Sequence, residues 1–228
     1  MADAGDGHRA TGDGSRSPVA RRPSPAVFGA LCLFGGLSLL TMSGVTLPWD
    51  TAVLRWFGAH RTPAMIEAML IGSYLADGIP IALAGLGSCA LLWAAGRTRQ
   101  AQALLAAGLS GEALYLVAKA GFQRTRPEVI ERLSSAGWHA YPSGHTMMAT
   151  IIWGLAMVLL AGRVSRAMRP VFQVLAFAIP LAVATSRVGL GVHYPTDVLA
   201  GLALGLAWML FWRDWSRTPS TSRSAASA

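Results

Sequence analysis

The sequence predicts an all-α protein: a six-transmembrane helical bundle with short loops and one extra interfacial helix. Three observations predict it. Hydrophobic residues make up 53% of the 228, and charged residues only 13%, where soluble domains carry roughly 25%. Mean hydropathy is positive, at +0.45. The apolar residues also fall into runs of near-spanning length, several of which stop at an arginine or lysine.

The elements follow in chain order. Residues 1–25 are rich in Gly, Ser, Arg and Asp and include Pro18, Pro23 and Pro25; they read as a disordered, basic cytoplasmic tail. The run after them is longer than a signal-peptide core and lacks a small-residue cleavage site, so 26–47 reads as a retained first span. Segment 64–76 is apolar but short and contains Glu67, which predicts an interfacial or half-buried helix. Span two covers 78–95 and stops at Arg97 and Arg99; span three covers 100–118 and stops at Lys119. Spans four, five and six cover 143–162, 169–186 and 196–212, the last stopping at Arg213. The membrane domain is thus 26–213, and 214–228 is a second disordered cytoplasmic tail.

The formal charge is +8, from 19 Lys+Arg against 11 Asp+Glu. A basic balance can signal nucleic-acid binding, but membrane proteins concentrate arginine in cytoplasmic loops. With the N-terminus in the cytoplasm, Arg9, Arg16, Arg21, Arg22, Arg97, Arg99, Arg163, Arg166, Arg169, Arg213, Arg217 and Arg223 all fall inside. That predicts an integral plasma (inner) membrane protein with both termini cytoplasmic and no nucleic-acid partner. Cys32 and Cys89 sit in apolar runs, with neither a disulfide framework nor zinc-ligand spacing. The sequence carries no signal for oligomeric state.

Three polar constellations stand at span ends. The first is "KAGFQRTRP", Lys119 to Pro127, holding the chain's one lysine and Arg126; alone, it could be a snorkelling end-cap. The second is "YPSGH", where Ser143 suits a helix N-cap and Gly144 and His145 its first turn. Free N–H groups there favour an anion such as phosphate, although an ordinary cap with an incidental histidine reads the same. The third is "SRVGLGVHYPTD", with Arg187 ending span five and His193 and Asp197 opening span six. Four residues separate that His from that Asp, so a helical start brings them together and the carboxylate can fix the imidazole tautomer.

Singly, each has a structural explanation. Alternating spans, however, open the three–four and five–six junctions on one membrane face. That collects Lys119, Arg126, Arg187, Ser143, His145, His193 and Asp197 at one level, as a phosphate pocket with acid–base capacity. A metal held by His145, His193 and Asp197 is the rival use. Three nearby cations would repel it, so neither metal nor other cofactor is expected.

"KAGFQRTRP", "PSGH" and "SRVGLGVHYPTD" together resemble the three-part signature of the type 2 phosphatidic acid phosphatase superfamily of lipid phosphatases, in order, internal spacing and span placement. The resemblance implies that His193 is the nucleophile, Asp197 orients it, and Lys119, Arg126 and Arg187 hold the phosphate oxygens with Ser143 and the Gly144 N–H. His145 would protonate the leaving group and then activate water. The implied partners are a membrane-embedded lipid phosphate and the bilayer, with the site on the outer face. Polyprenyl diphosphate, phosphatidate and phosphatidylglycerophosphate all fit motifs that read only phosphate. Transfer to an acceptor lipid, or a non-catalytic lipid transporter using the cationic cluster, are the alternatives.

Glu112 lies seven residues before Lys119, on the same helical face, and is expected either to line the cleft below the phosphate or to be a buried carboxyl bonded to a neighbouring span. Arg124, Arg132, Glu128, Glu131 and His139 are expected to be solvated loop charges. Asp77, beside Gly78, reads as a turn before span two.

Overall fold

The computed structural model describes residues 23–218. The predicted tails lie outside the described residues up to 22 and from 219 onward. Within residues 23–218 every regular element is a helix, and none is a strand. The chain is α1 (Pro25–Met42), α2 (Leu47–His60), α3 (Pro63–Tyr74), α4 (Gly78–Ala94), α5 (Thr98–Phe122), α6 (Gly144–Ala149), a π-helical turn (Thr150–Gly154), α7 (Leu155–Leu160), α8 (Arg169–Gly189) and α9 (Pro195–Ser216).

Four helices, α1, α5, α8 and α9, are long and apolar enough to cross a membrane, and α3 with α4 makes a fifth if that pair, bent by 50°, is one broken span. Gly144–Leu160 is a shorter apolar helix. Outward-facing Phe28, Leu33, Leu39, Leu83, Val174 and Phe177 leave an apolar surface suited to lipid. The protein is an all-helical integral membrane bundle.

Several boundaries differ from the predicted ones. α1 ends at Met42 and not at 47, because Ser43 closes it and Gly44 turns at φ 78°. Helix α2 is not among the predicted elements: Asp50, Arg55 and His60 break up its apolar residues, so no run stands out. α5 continues through Lys119 to Phe122 and stops where Gln123 adopts the left-handed conformation, φ 48°, well before Pro127. α9 continues past 213 to Ser216, held there by Trp215, whose ring contacts Trp212 at 5.5 Å and carries the Arg99 guanidinium at 4.2 Å.

The most buried of the candidate spans is α9, and small residues let its neighbours approach. A Cβ at Gly201 would lie 2.6 Å from the Ser143 carbonyl oxygen, and one at Gly205 would lie 2.8 Å from that of Met147. This Gly-x-x-x-Gly face brings the backbones of α6 and α9 together. The Ser143 N–H then donates to the Asp197 carbonyl at 2.9 Å, joining the two helix starts. The non-helical segment 123–143 roofs this end. It is tied down by Ala140 N–H to Arg124 O (2.7 Å), Leu133 N–H to Leu190 O (2.9 Å), and a hydrogen bond between Tyr141 Oη and Ser38 Oγ (2.8 Å).

Candidate active site

The C-terminal ends of α5 and α8 meet the N-terminal ends of α6 and α9 beneath that roof. Between them lies a cavity of about 380 Å³ lined by Tyr115, Lys119, Arg126, Gly144, His145, Arg187 and His193, with Ser135 to Trp138 of the roof. Three of the lining residues are cationic and none is acidic.

Each cation is held by neutral hydrogen-bond partners, and none is paired directly with a carboxylate among the described residues. Buried Lys119 donates to Tyr115 Oη at 2.7 Å, one helical turn away on α5. Buried Arg187 donates from NH1 to Ser73 Oγ at 2.7 Å, while its Nε has no hydrogen-bond partner among the described residues. Arg126 donates from NH1 to Val192 O at 2.7 Å and from Nε and NH2 to the carbonyls of Gly137 and Trp138. Burial holds the Arg126 guanidinium below its ordinary pKa. Donors of one sign, two of them buried, with carbonyl, hydroxyl and phenol partners form a cradle for an anion.

His193 is only 1% exposed. Its Nδ1 lies 3.4 Å from Asp197 Oδ2, and its Nε2 lies 3.2 Å from Arg126 NH1, toward the cavity. Burial, then Arg126, Arg187, Lys119 and His145, push its pKa well below the ordinary 6.5. The imidazole is therefore neutral at neutral pH, with one nitrogen beside a carboxylate and the other toward the cavity.

Behind His193 lies a buried charge network. Asp197 accepts from Tyr194 N–H (2.8 Å) and Arg124 NH1 (2.6 Å); Arg124 NH2 reaches Asp50 at 2.7 Å. Asp50 accepts from the Thr196 N–H (3.0 Å) and hydroxyl (2.7 Å), satisfying the start of α9. Arg124 is thus no solvated loop charge: its side chain is 11% exposed, between two fully buried carboxylates. Burial pulls its pKa down, but Asp197 and Asp50 outweigh that and raise it. Arg132, Glu128 and Glu131 do stay at the surface.

Three other expectations meet different geometry. Ser143 stands at the N-cap of α6, but it is fully buried and its hydroxyl pairs with Thr146 Oγ1 at 3.0 Å; it does not line the cavity. Glu112 is exposed, forms no hydrogen bond among the described residues and is absent from the cavity lining, so the buried, bonded carboxyl is not what the structure holds. The row that faces inward on α5 is Gly111, Tyr115, Lys119, at four-residue steps, and Glu112 sits beside it. Asp77 occupies the turn before α4, but its Oδ1 also lies 2.9 Å from His145 Nε2. Sequence reasoning missed Asp50, Tyr115 and Ser73. Lone polar groups in apolar helices are costly there, which is the signal that could have flagged Tyr115 and Ser73.

His145, His193 and Asp197 do not form a metal cluster; among the described residues no three His, Cys, Asp or Glu side chains could hold an ion together.

Comparison with known proteins bears on the fold and the family. The crystal structure of a transmembrane PAP2-type phosphatidylglycerolphosphate phosphatase from Bacillus subtilis superposes with a TM-score of 0.77 at 23% identity, covering 87% of this chain and 99% of that one. Aquifex aeolicus LpxE superposes at 0.57 and 22% identity, covering 72% and 93%. These likenesses show the fold. Phosphatidylglycerophosphatase B of Bacillus subtilis (strain 168) is 34% identical over 96 residues, 41% of this chain; the matched stretch spans 46% of that relative's length. The PAP2 superfamily model matches residues 100–220, more than half of the chain and all three polar constellations, and the chain belongs to that superfamily.

Proposed function

We propose that the protein is an integral-membrane lipid phosphatase that hydrolyses a phosphate monoester or diphosphate of a lipid through a phosphohistidine intermediate, without a metal. One observation carries this reading: a cavity with three cations, two histidines and no carboxylate, at the meeting of four helix ends. Such a site stabilises a phosphoryl group as its charge spreads over three oxygens.

Lys119, Arg126, Arg187 and the Gly144 N–H hold the nonbridging oxygens. Nε2 of His193 attacks phosphorus while Asp197 faces Nδ1 and compensates the growing positive charge. As the N–P bond forms, the bond to the lipid oxygen breaks and His145 gives that oxygen its proton. His145 then takes a proton from water, whose oxygen displaces His193 from phosphorus. Six spans, with α3 as the extra interfacial helix and both termini cytoplasmic, put the site on the outer face, opposite the side that carries most of the arginines. The likeness to phosphatidylglycerophosphatase B favours a glycerophospholipid phosphate as substrate; polyprenyl diphosphate is the competing class.

The test is phosphate release from phospholipid and polyprenyl substrates in detergent, with His193→Ala and His145→Ala as controls. Both variants are expected to insert and to lose turnover, vanadate to inhibit, and chelators to have no effect. Full activity in His193→Ala, or strict Mg²⁺ dependence, overturns the mechanism. Lipid binding with no phosphate release would point to a transporter.

A further inference from the structure

The corner between α3 and α4 carries a residue that the mechanism above does not use. Asp77 is the N-cap of α4, with extended backbone at φ −71° and ψ 158°. Its backbone joins the two helices: its N–H donates to Tyr74 O at 3.1 Å, and its carbonyl accepts from Ile81 N–H at 3.0 Å. An aspartate at this position ordinarily turns its carboxylate onto the first free amides of the helix. Here the side chain makes no capping hydrogen bond. The carboxylate instead points across to α6 and meets His145 Nε2 at 2.9 Å.

Stability does not account for that choice. The Asp77 side chain is 47% exposed and that of His145 31%, and ion pairs so open to solvent contribute little to folding. The contact does have a chemical consequence. A carboxylate on one imidazole nitrogen keeps a proton there and makes the other nitrogen the one that takes and gives a proton. The same corner supplies Ser73, which holds Arg187 at 2.7 Å.

We propose that Asp77 is a positioning residue for His145, holding the Nε2 proton and the ring orientation so that Nδ1 serves the leaving group and then water. This rests on the reading of His145 as the general acid and base. No proton need pass to Asp77 itself: the proton that reaches the lipid oxygen comes from His145 Nδ1, and water replaces it in the second step.

The test compares kcat/KM, which reports the steps up to leaving-group departure, for dioctanoyl phosphatidate and for p-nitrophenyl phosphate in one detergent. The lipid alkoxide needs a proton to leave; p-nitrophenolate leaves without one. Asp77→Ala is expected to lower the lipid-to-aryl ratio by about ten- to a hundredfold, part of the roughly 10²–10⁴-fold that general acid catalysis supplies. Asp77→Thr keeps a good helix cap but no carboxylate, and should lose as much. Asp77→Asn keeps an acceptor for the Nε2 proton and should recover most of the ratio. A wild-type ratio in Asp77→Ala, or recovery by Asp77→Thr, overturns the proposal and leaves Asp77 a helix cap. His145→Ala separates the two layers: if it too leaves the ratio unchanged, the assignment of His145 as the acid fails first. If it lowers the ratio while Asp77→Ala does not, only the positioning role fails.

Discussion

The two histidines at this cavity each face an aspartate, yet their surroundings are opposites. His193 is sealed: Asp197 lies behind it, and Asp197 is itself held by a backbone amide and by Arg124, which Asp50 anchors in turn. His145 sits at the rim with one carboxylate contact, from a half-exposed Asp77 on a different helix. The difference matches what each must do in the proposed reaction. A nucleophile has to be neutral and fixed, and burial among cations provides both conditions. An acid that later becomes a base must exchange protons with water, so it cannot be sealed.

The largest expected effect comes from breaking the sealed pair. His193→Ala removes the proposed nucleophile and should lower kcat by at least about 10³-fold, as loss of a covalent catalyst does; phosphate release measures it. Next is the network behind it. Arg124→Ala strands two buried carboxylates and should destabilise the fold by about 3–5 kcal/mol, read as a fall in thermal unfolding temperature in detergent. Asp77→Ala, at the open pair, should cost about 1 kcal/mol or less in the same assay. A large loss there would erase the contrast between the two pairs.

A smaller effect sharpens the electrostatics. After burial, Arg126 is the leading cause of the depressed His193 pKa. The neutral, nucleophilic form therefore persists as pH falls below 6.5, and the acid limb of kcat/KM should lie below that value. Removing the positive charge in Arg126→Gln raises the His193 pKa, so the acid limb should move to higher pH, apart from any drop in rate. A limb that stays in place would show that it belongs to another group.

Much of this is legible in the sequence. The apolar runs at 78–95, 100–118, 169–186 and 196–212 became helices over nearly the same residues, because a chain without water to satisfy its backbone must bond internally. The grouping of Lys119, Arg126, His145, Arg187 and His193 was readable because antiparallel helices return alternate junctions to one end. Arg124 was not. Two residues from Arg126 in the same polar loop, it has the same local pattern, and only the fold shows that its guanidinium is buried against Asp50 and Asp197. Asp50 was hidden for a related reason, since α2 has no apolar run to announce it.

The sequence by itself determined that this is a helical membrane chain with its phosphate-type motifs at helix ends, because hydropathy and motif spacing are local and survive without a fold. That Asp77 lies against His145, that Arg124 is buried between Asp50 and Asp197, and that Ser143 and Glu112 turn elsewhere were decided only by the tertiary structure. Those outcomes depend on the rotation of each helix and on close approaches such as α6 against Gly201 and Gly205, where residues far apart in the chain set one another's side-chain directions.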